Sequence, residues 1–446
     1  MNQKNILIVG GGISGVGAAK LANKLNYNIF VTSTKKIDKK HRDVLLALGV
    51  QIEEGVQSKE QLKGIDFIIK SPGVPQKIEL LNNARKQNIP IISEIEFAYS
   101  HTESKIIAVT GTNGKTTTSS MLFYILSEAG FSVALVGNIG KSFSDIIVEN
   151  PVENYVVEVS SFQLEDIVQF KPDISIVLNL TKDHLDRYDN NFQEYIDTKL
   201  KIKMNQSESD VFIYFSNDTH ITPYLEKLKP QKYPFGDLKP VYTNYGAWIE
   251  KDKIIINTKK NNFNMTIHNL ALQGTHNIYN SMAASIAATS LGIKDSVIKK
   301  ALVNFKGVEH RLEFVAKVSG VNFINDSKAT NCNAVYYALD SINSPIIWIC
   351  GGVDKGNNYT PLKKFVEDKV KSIVYLGNNP KKIETSFKSS VQDIIVVNTM
   401  KDAVRSAYLN ADAGDTVLLS PACASFDLFA NYEERGHVFK SAVLEI

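Results

Sequence analysis

Short runs of β-branched and apolar residues alternate with longer amphipathic stretches along almost the whole chain. NILIVG, NIFVTS, FIIKSPG and PIISEIEF are the first four runs, and helix-length segments such as SGVGAAKLANKL lie between them. A strand covered by helices on both sheet faces has no polar side, so it reads as a continuous apolar run. The pattern predicts an open α/β sheet over about the first 95 residues. A second α/β series starts at KIIAVTGTNGKTT and continues through NYVVEVSS and DISIVLNL. It contains a β-rich patch, AWIEKDKIIINTKKNNFNMTI, whose KD and KKNN turns predict antiparallel hairpins. HNIYNSMAASIAATSLG follows, and its Ala and Met stripe at helical spacing suits a core-facing helix. The third series begins after GVEHRLEF and runs through VNFINDS, IIWICGG, SIVYLG, IIVVN and TVLLSPACAS. Boundaries near 95 and 306 divide the chain into 1–95, 96–306 and 307–446.

Three segments suit a length of 446 residues, at roughly 150 residues per domain. Hydrophobic residues are 43% and charged residues 22%, which excludes a wholly disordered chain. Lys plus Arg number 50 against 47 Asp plus Glu, and a net +3 gives no case for nucleic acid or an anionic membrane. Any anion must be held by local loops. The three cysteines, Cys332, Cys350 and Cys423, show no CxxC spacing, so neither a disulfide framework nor a zinc knuckle is expected, and a reducing cytoplasm is the default. No apolar run approaches the ~20 residues of a membrane span, and the N-terminus lacks the pattern of a secretion signal.

Two glycine-rich loops carry candidate chemistry. Gly10, Gly12 and Gly15 fit G-x-G-x-x-G between a strand and a helix, where glycines let backbone approach a pyrophosphate at the positive helix end. A dinucleotide would call for a carboxylate at the end of the second strand. That strand ends Thr32-Ser33-Thr34-Lys35-Lys36, so NAD is disfavoured, while NADP and another pyrophosphate, such as that of a UDP-sugar, stay open. Ser71 and Gly73, after FIIK, could line the same crevice. The second loop, Gly111-Thr112-Asn113-Gly114-Lys115-Thr116-Thr117, supplies inward N–H groups, a flexible cation and a hydroxyl for Mg²⁺. Val109 stands where the strict P-loop motif needs its first glycine, so the loop is shorter than that of GTPases and motors.

The short loop GTNGKTT resembles the ATP loop of the Mur ligase and folylpolyglutamate synthetase superfamily. EVSSFQLE, LNLTKDHLDRY, HNIYN, GVEHRLE, INDSKATN and LLSPACASFDLFANYEERG follow in order, so the resemblance covers nearly the whole chain. INDSKATN and SPACASFD point to the D-glutamate-adding branch. The resemblance implies a Rossmann-like N-terminal domain, a central P-loop-type ATP-binding α/β domain with a small antiparallel portion, and a C-terminal Rossmann-like domain. It implies an ATP-dependent amide ligase that joins D-glutamate to UDP-N-acetylmuramoyl-L-alanine through an acyl phosphate, acting as a cytoplasmic monomer in peptidoglycan precursor synthesis. A sibling ligase for another amino acid, an NADP oxidoreductase and a nucleotide-binding regulator without turnover are the alternatives.

The resemblance also implies roles for particular residues. Thr116, Glu158, His184 and a CO₂-carbamylated Lys199 would hold two Mg²⁺ ions, with Lys115, His184 and Lys199 catalytic. Lys201 and Lys203 lie close by, so the choice of Lys199 rests on the alignment. A carbamate needs an unprotonated amine, hence a lowered lysine pKa. Gly111 to Thr117, Asn277, Arg311, Asp326 and Lys328 fall to ATP. Lys328, Thr330, Lys355, Ser425 and Tyr432 face D-glutamate, with Tyr432 where the family has phenylalanine. Ile13, Ser14, Thr34, Lys35, Ser71 and Gly73 would meet the UDP end, and Asn138, Ser160 and Gln163 the muramoyl end. Lys35 replaces an arginine common in relatives, which weakens stacking on uracil. Cys423 is expected to be structural, because no base adjoins it.

Overall fold

The computed structural model describes residues 3–226, 228–354 and 356–446. Among them the strands form three sheets. The first contains β1 (Asn5–Val9), β2 (Asn28–Ser33), β3 (Gln51–Glu54), β4 (Phe67–Lys70) and β5 (Ile91–Ser93), in the order β3-β2-β1-β4-β5 and parallel throughout. The order reverses between β1 and β4, which opens a crevice at the strand C-termini. The second contains β6 (Lys105–Thr110), β7 (Val133–Gly137), β8 (Asn154–Glu158), β9 (Ile174–Val177), β10 (Val211–Phe215), β11 (Gln231–Phe235), β12 (Gly246–Glu250), β13 (Lys253–Asn257) and β14 (Asn262–Thr266), ordered β14-β13-β12-β11-β10-β9-β6-β8-β7. Its last three strands are the expected antiparallel hairpins, with Glu250 opposite Lys253 across a turn where Lys251 has φ 58°. The third contains β15 (Glu313–Val318), β16 (Val321–Asn325), β17 (Ile346–Gly351), β18 (Val370–Leu376), β19 (Asp393–Val397) and β20 (Thr416–Ala422), ordered β15-β16-β20-β17-β18-β19. All its pairs are parallel except β15 with β16, a hairpin turned at Ser319 (φ 49°) and Gly320 (φ 88°). The chain is a three-domain α/β protein, dominated by parallel sheet.

Two compact units emerge from the contacts: residues 1–269 with 279–304, and residues 270–278 with 305–446. The first unit holds the first two sheets around one continuous core, in which Ile8, Val16 and Ala19 share a buried cluster with Phe143 and Tyr155. Gly17 makes that sharing possible, since a Cβ there would lie 1.8 Å from Ser142 Oγ. The helix Ile13–Lys24 can therefore rest directly on the start of the helix Phe143–Glu149. The Ala and Met stripe of the helix Thr275–Ser290 is core, with Met282, Ala283, Ile286 and Ala287 buried. In the second unit, β17, β18 and β20 are sandwiched between two apolar clusters, one around Trp348 and Phe387, the other around Phe323, Val404 and Phe439. No helix among the described residues is long and apolar enough to cross a membrane.

Candidate active site

The loop Gly111–Gly114 leaves the C-terminal end of β6 and enters the helix Lys115–Glu128. Its shape is fixed from three sides. Asn179 donates to Asn113 O (3.0 Å) and accepts the Asn113 N–H (2.9 Å), and its carbonyl accepts the Thr112 N–H (2.7 Å). The Thr112 hydroxyl donates to Thr181 O (3.0 Å) and lies 2.9 Å from Tyr195 Oη. Gly114 turns the chain at φ 85°, and a Cβ there would sit 2.5 Å from Asn280 Oδ1, which also accepts the Thr118 hydroxyl (3.1 Å). Asn280 is the second asparagine of HNIYN. The first, Asn277, donates to Gln273 O (2.9 Å) and groups with the second unit. Asn179, Asn280 and Tyr195 were not among the expected site residues. The motifs LNLTKDH and HNIYN contain two of them, but only tertiary placement shows which asparagine braces the loop.

Two lysines converge on one carbonyl. Lys115 Nζ donates to Gly111 O and Thr112 O, both at 2.8 Å, and Lys199 Nζ donates to Gly111 O at 2.9 Å. Lys199 is buried with its ammonium 4.9 Å from the Tyr195 ring centre. Burial, and then the neighbouring Lys115, hold its amine well below the usual lysine range. Lys201 instead donates to Glu165 O (2.8 Å), and Lys203 lies over the Tyr224 ring. Glu158 ends β8 beside the loop, in register with Val109, and is 1% exposed. It accepts the Asn138 side-chain amide (2.8 Å), with Ser119 Oγ at 3.5 Å. Thr116 is buried at the start of the helix. His184 stands on a left-handed turn (φ 52°), with Nε2 3.7 Å from Asp183 Oδ2.

The loop and the strand ends beside it carry groups that could meet phosphate and a hard cation. Asn113 Nδ2 in the loop and Thr117 Oγ1 in the first turn of the helix are buried polar atoms with no protein partner, so a donor amide and a hydroxyl are left able to meet a ligand. Thr116, Glu158 and His184 offer two oxygens and one nitrogen, a donor set Mg²⁺ accepts.

At the first crevice, Ile13 is 57% exposed, Ser14 half-buried, and Thr34 and Lys35 exposed. Ser71 Oγ donates to Gly10 O (3.1 Å), joining the loops after β1 and β4, and Gly73 follows in the same turn. Carboxylates do lie on β3, but they are engaged: Glu54 accepts the Ile37 N–H (2.7 Å) and pairs with Arg42, and Glu53 binds Ser58 and Thr32. Ser160 and Gln163 form a capping box at the helix Ser161–Leu164.

In the second unit, Asp326 directly follows β16 and is buried. It accepts the Ser420 hydroxyl (2.8 Å) and the Leu312 N–H (3.3 Å). Burial pushes its carboxyl up to about 7, against the opposing pull of Ser420 and Arg311. Lys328 Nζ lies 5.0 Å from the Tyr432 ring centre, and Thr330 follows in the same turn, its N–H on Lys328 O (3.0 Å). Ser425 is buried after β20. Lys355 lies outside the described residues. Arg435, 2% exposed, donates to Ser327 Oγ (3.0 Å), Ser327 O (2.8 Å) and Cys423 O (3.1 Å), locking the Lys328 loop to the Ser425 loop. It too was not anticipated, although YEERG contains it. Cys423 meets Tyr359 Oη (3.5 Å), and burial pushes its thiol up to about 11, which suits a packing role.

The Mur ligase MurD-like N-terminal domain matches residues 4–93, the Mur ligase middle domain 109–288, and the Mur ligase glutamate ligase domain 310–423. The UDP-N-acetylmuramoylalanine--D-glutamate ligase of Bacteroides fragilis is 46% identical over 447 residues, covering 100% of both chains. The chain belongs to the Mur ligase family. The enzyme of the same name from Christiangramia forsetii is 45% identical over 442 residues, 99% of each chain. Among solved structures, UDP-N-acetylmuramate-alanine ligase MurC from Thermotoga maritima shares the Mur ligase fold at TM-score 0.61 and 19% identity, with 100% of both chains covered. MurF ligase from the same organism, in complex with ADP, gives TM-score 0.59 at 15% identity, covering 100% of this chain and 96% of that one.

Proposed function

We propose that the chain is an ATP-dependent amide ligase that adds D-glutamate to UDP-N-acetylmuramoyl-L-alanine, releasing ADP and phosphate, in cytoplasmic peptidoglycan precursor synthesis, and that it works as a monomer. The observation that carries this reading is the shared Gly111 carbonyl. It joins the phosphate-loop lysine and a buried second lysine beside a buried carboxylate at the adjacent strand end. Full-length similarity to enzymes named for this reaction supports it.

A carboxylate is a poor electrophile, and activating it brings its charge against the γ-phosphate of ATP. Thr116, Glu158 and His184 would hold Mg²⁺, which when bound would supply the charge neutralisation this approach needs. Lys115, released from the loop carbonyls, places its ammonium where charge grows on the phosphoryl oxygens. Lys199, whose amine burial and the neighbouring Lys115 hold well below the usual lysine range, is suited to take up CO₂ and become an anionic oxygen ligand. Glu158 keeps Asn138 oriented toward the muramoyl end, where Ser160 and Gln163 also stand. Ile13, Ser14, Thr34, Lys35, Ser71 and Gly73 hold the UDP end. Asn277, Arg311 and Asp326 serve the nucleotide; Lys328 serves both nucleotide and D-glutamate, and Thr330, Ser425 and Tyr432 orient D-glutamate, with Lys355 as a further partner. The three functional segments are 1–95 for the sugar nucleotide, 96–306 for ATP and 307–446 for the amino acid.

ADP release is to be measured with UDP-N-acetylmuramoyl-L-alanine and a panel of amino acids. D-glutamate alone should stimulate it strongly. Equal stimulation by L-glutamate or diaminopimelate would remove the D-glutamate assignment.

A further inference from the structure

One buried ionic cluster in the first unit has no part in the chemistry above. Lys70 closes β4 with its side chain 0% exposed, and Nζ lies 2.8 Å from Glu165 Oε2 and 3.0 Å from Asp166 Oδ2. Glu165, 7% exposed, accepts Arg187 through both oxygens, Nε to Oε1 at 3.0 Å and Nη2 to Oε2 at 2.7 Å. Nη2 also donates to Val74 O (2.8 Å), and the Gln76 amide donates to Glu165 (2.9 Å) and Asp166 (2.7 Å). The guanidinium then covers the Phe162 ring at 4.7 Å. That ring meets the His184 imidazole edge-on, with centroids 5.1 Å apart.

Apolar side chains of similar volume commonly stabilise a fold as well as a buried ion cluster does, so stability alone does not account for this one. What it supplies is fixed geometry. The cluster runs without a break from the end of β4 and the Val74 turn, beside Ser71 and Gly73, to the turn that carries His184. Phe162 lies between Ser160 and Gln163, so the same chain of contacts touches the proposed muramoyl end. We propose that Glu165 and Arg187 are positioning residues: acting through Phe162, they set the His184 ring for its cation and couple that setting to the sugar-nucleotide crevice. This rests on the reading of His184 as a metal ligand. Groups behind a metal-bound histidine typically tune affinity by about 10- to 100-fold.

The test uses the full chain with ADP and Mn²⁺, following free Mn²⁺ by its EPR signal, so that no turnover is required. Arg187→Lys keeps a charge for Glu165 but loses the planar contact with Phe162. Phe162→Leu removes the ring itself and serves if the first variant fails to fold. Each should weaken Mn²⁺ binding about tenfold and lower kcat similarly, with KM for D-glutamate unchanged. The double variant should be no worse than the poorer single one, because both break one link. Parental Mn²⁺ binding in a folded single variant, or multiplying effects in the double, would overturn the proposal. His184→Ala separates the levels: if it too binds Mn²⁺ normally, the metal reading fails along with the proposal. If it alone loses Mn²⁺, only the positioning claim falls.

Discussion

Two glycine-rich turns lead from a parallel strand into a helix, one in each of the first two sheets, and their surroundings are opposite. The Gly10–Gly15 turn is lightly held, with the Gly10 N–H on Thr32 O (2.9 Å) and Ser71 Oγ on Gly10 O; it presents Ile13 to solvent, and the loop after β2 presents Thr34 and Lys35. The Gly111–Gly114 turn is enclosed by Asn179, Tyr195 and Asn280, with Thr112, Thr116 and Thr117 buried and two lysines on one carbonyl. Glycine spacing makes either turn able to meet phosphate. What separates them is water. In the open turn charges are screened and contacts add affinity. In the closed one the same charges act at low dielectric and can alter a barrier.

The comparison breaks most visibly at Lys115. Lys115→Ala should lower kcat by at least ~10³-fold, about 4 kcal/mol, with a melting temperature near that of the parent. Near-normal turnover would move the phosphate chemistry away from the closed turn. Lys199→Ala should lose about 10²-fold, and short carboxylic acids should restore part of it by standing in for the carbamate. Steady-state assays with and without acetate decide this. Loss without rescue would keep the lysine in the site and remove its modification.

Lys199 also marks how far the sequence could be read. YIDTKLKIK offers three lysines in five positions, and nothing local separates them. Burial does, because only the helix Phe192–Leu200 laid against the loop puts one amine on Gly111 O. Four parallel strands, β3, β7, β10 and β11, were passed over; the other parallel runs, the hairpins and both glycine turns were legible because each follows from local periodicity or turn chemistry. β15 was not, because GVEHRLEF reads as a motif, while its strand character comes from pairing with β16. Asn179, Asn280 and Arg435 were missed for the same reason: their partners lie 66, 162 and 108 residues away. The shared core of the first two sheets depends on Gly17 meeting Ser142, a contact that a helical glycine alone does not announce.

A smaller effect should appear in the shared core of the first two sheets. Glu94 is fully buried, with the Ser144 N–H on Oε1 (2.7 Å) and no protein partner for Oε2. Burial pushes its carboxyl from 4.5 up to about 7. The folded protein therefore holds this proton more tightly than the unfolded chain does. Stability falls as pH rises through the window from 4.5 to about 7, and the penalty is complete above it. Glu94→Gln should add on the order of 1–3 kcal/mol at pH 8 and almost nothing at pH 4. Urea unfolding at both pH values measures it, and an equal gain at each would contradict the assignment. Least of all should be Lys35→Ala in the exposed loop after β2 at the open crevice, with KM for the UDP substrate up about two- to fivefold and kcat unchanged. A fall in kcat would mean that the open crevice takes part in the chemistry and would erase the contrast.

In the proposed reaction the muramoyl carboxylate takes the terminal phosphoryl group before D-glutamate attacks. Turnover with that carboxylate labelled by ¹⁸O, followed by mass analysis of the released phosphate, tests it directly. One labelled oxygen should appear in phosphate for each amide formed, and unlabelled phosphate at full product yield would contradict the mechanism.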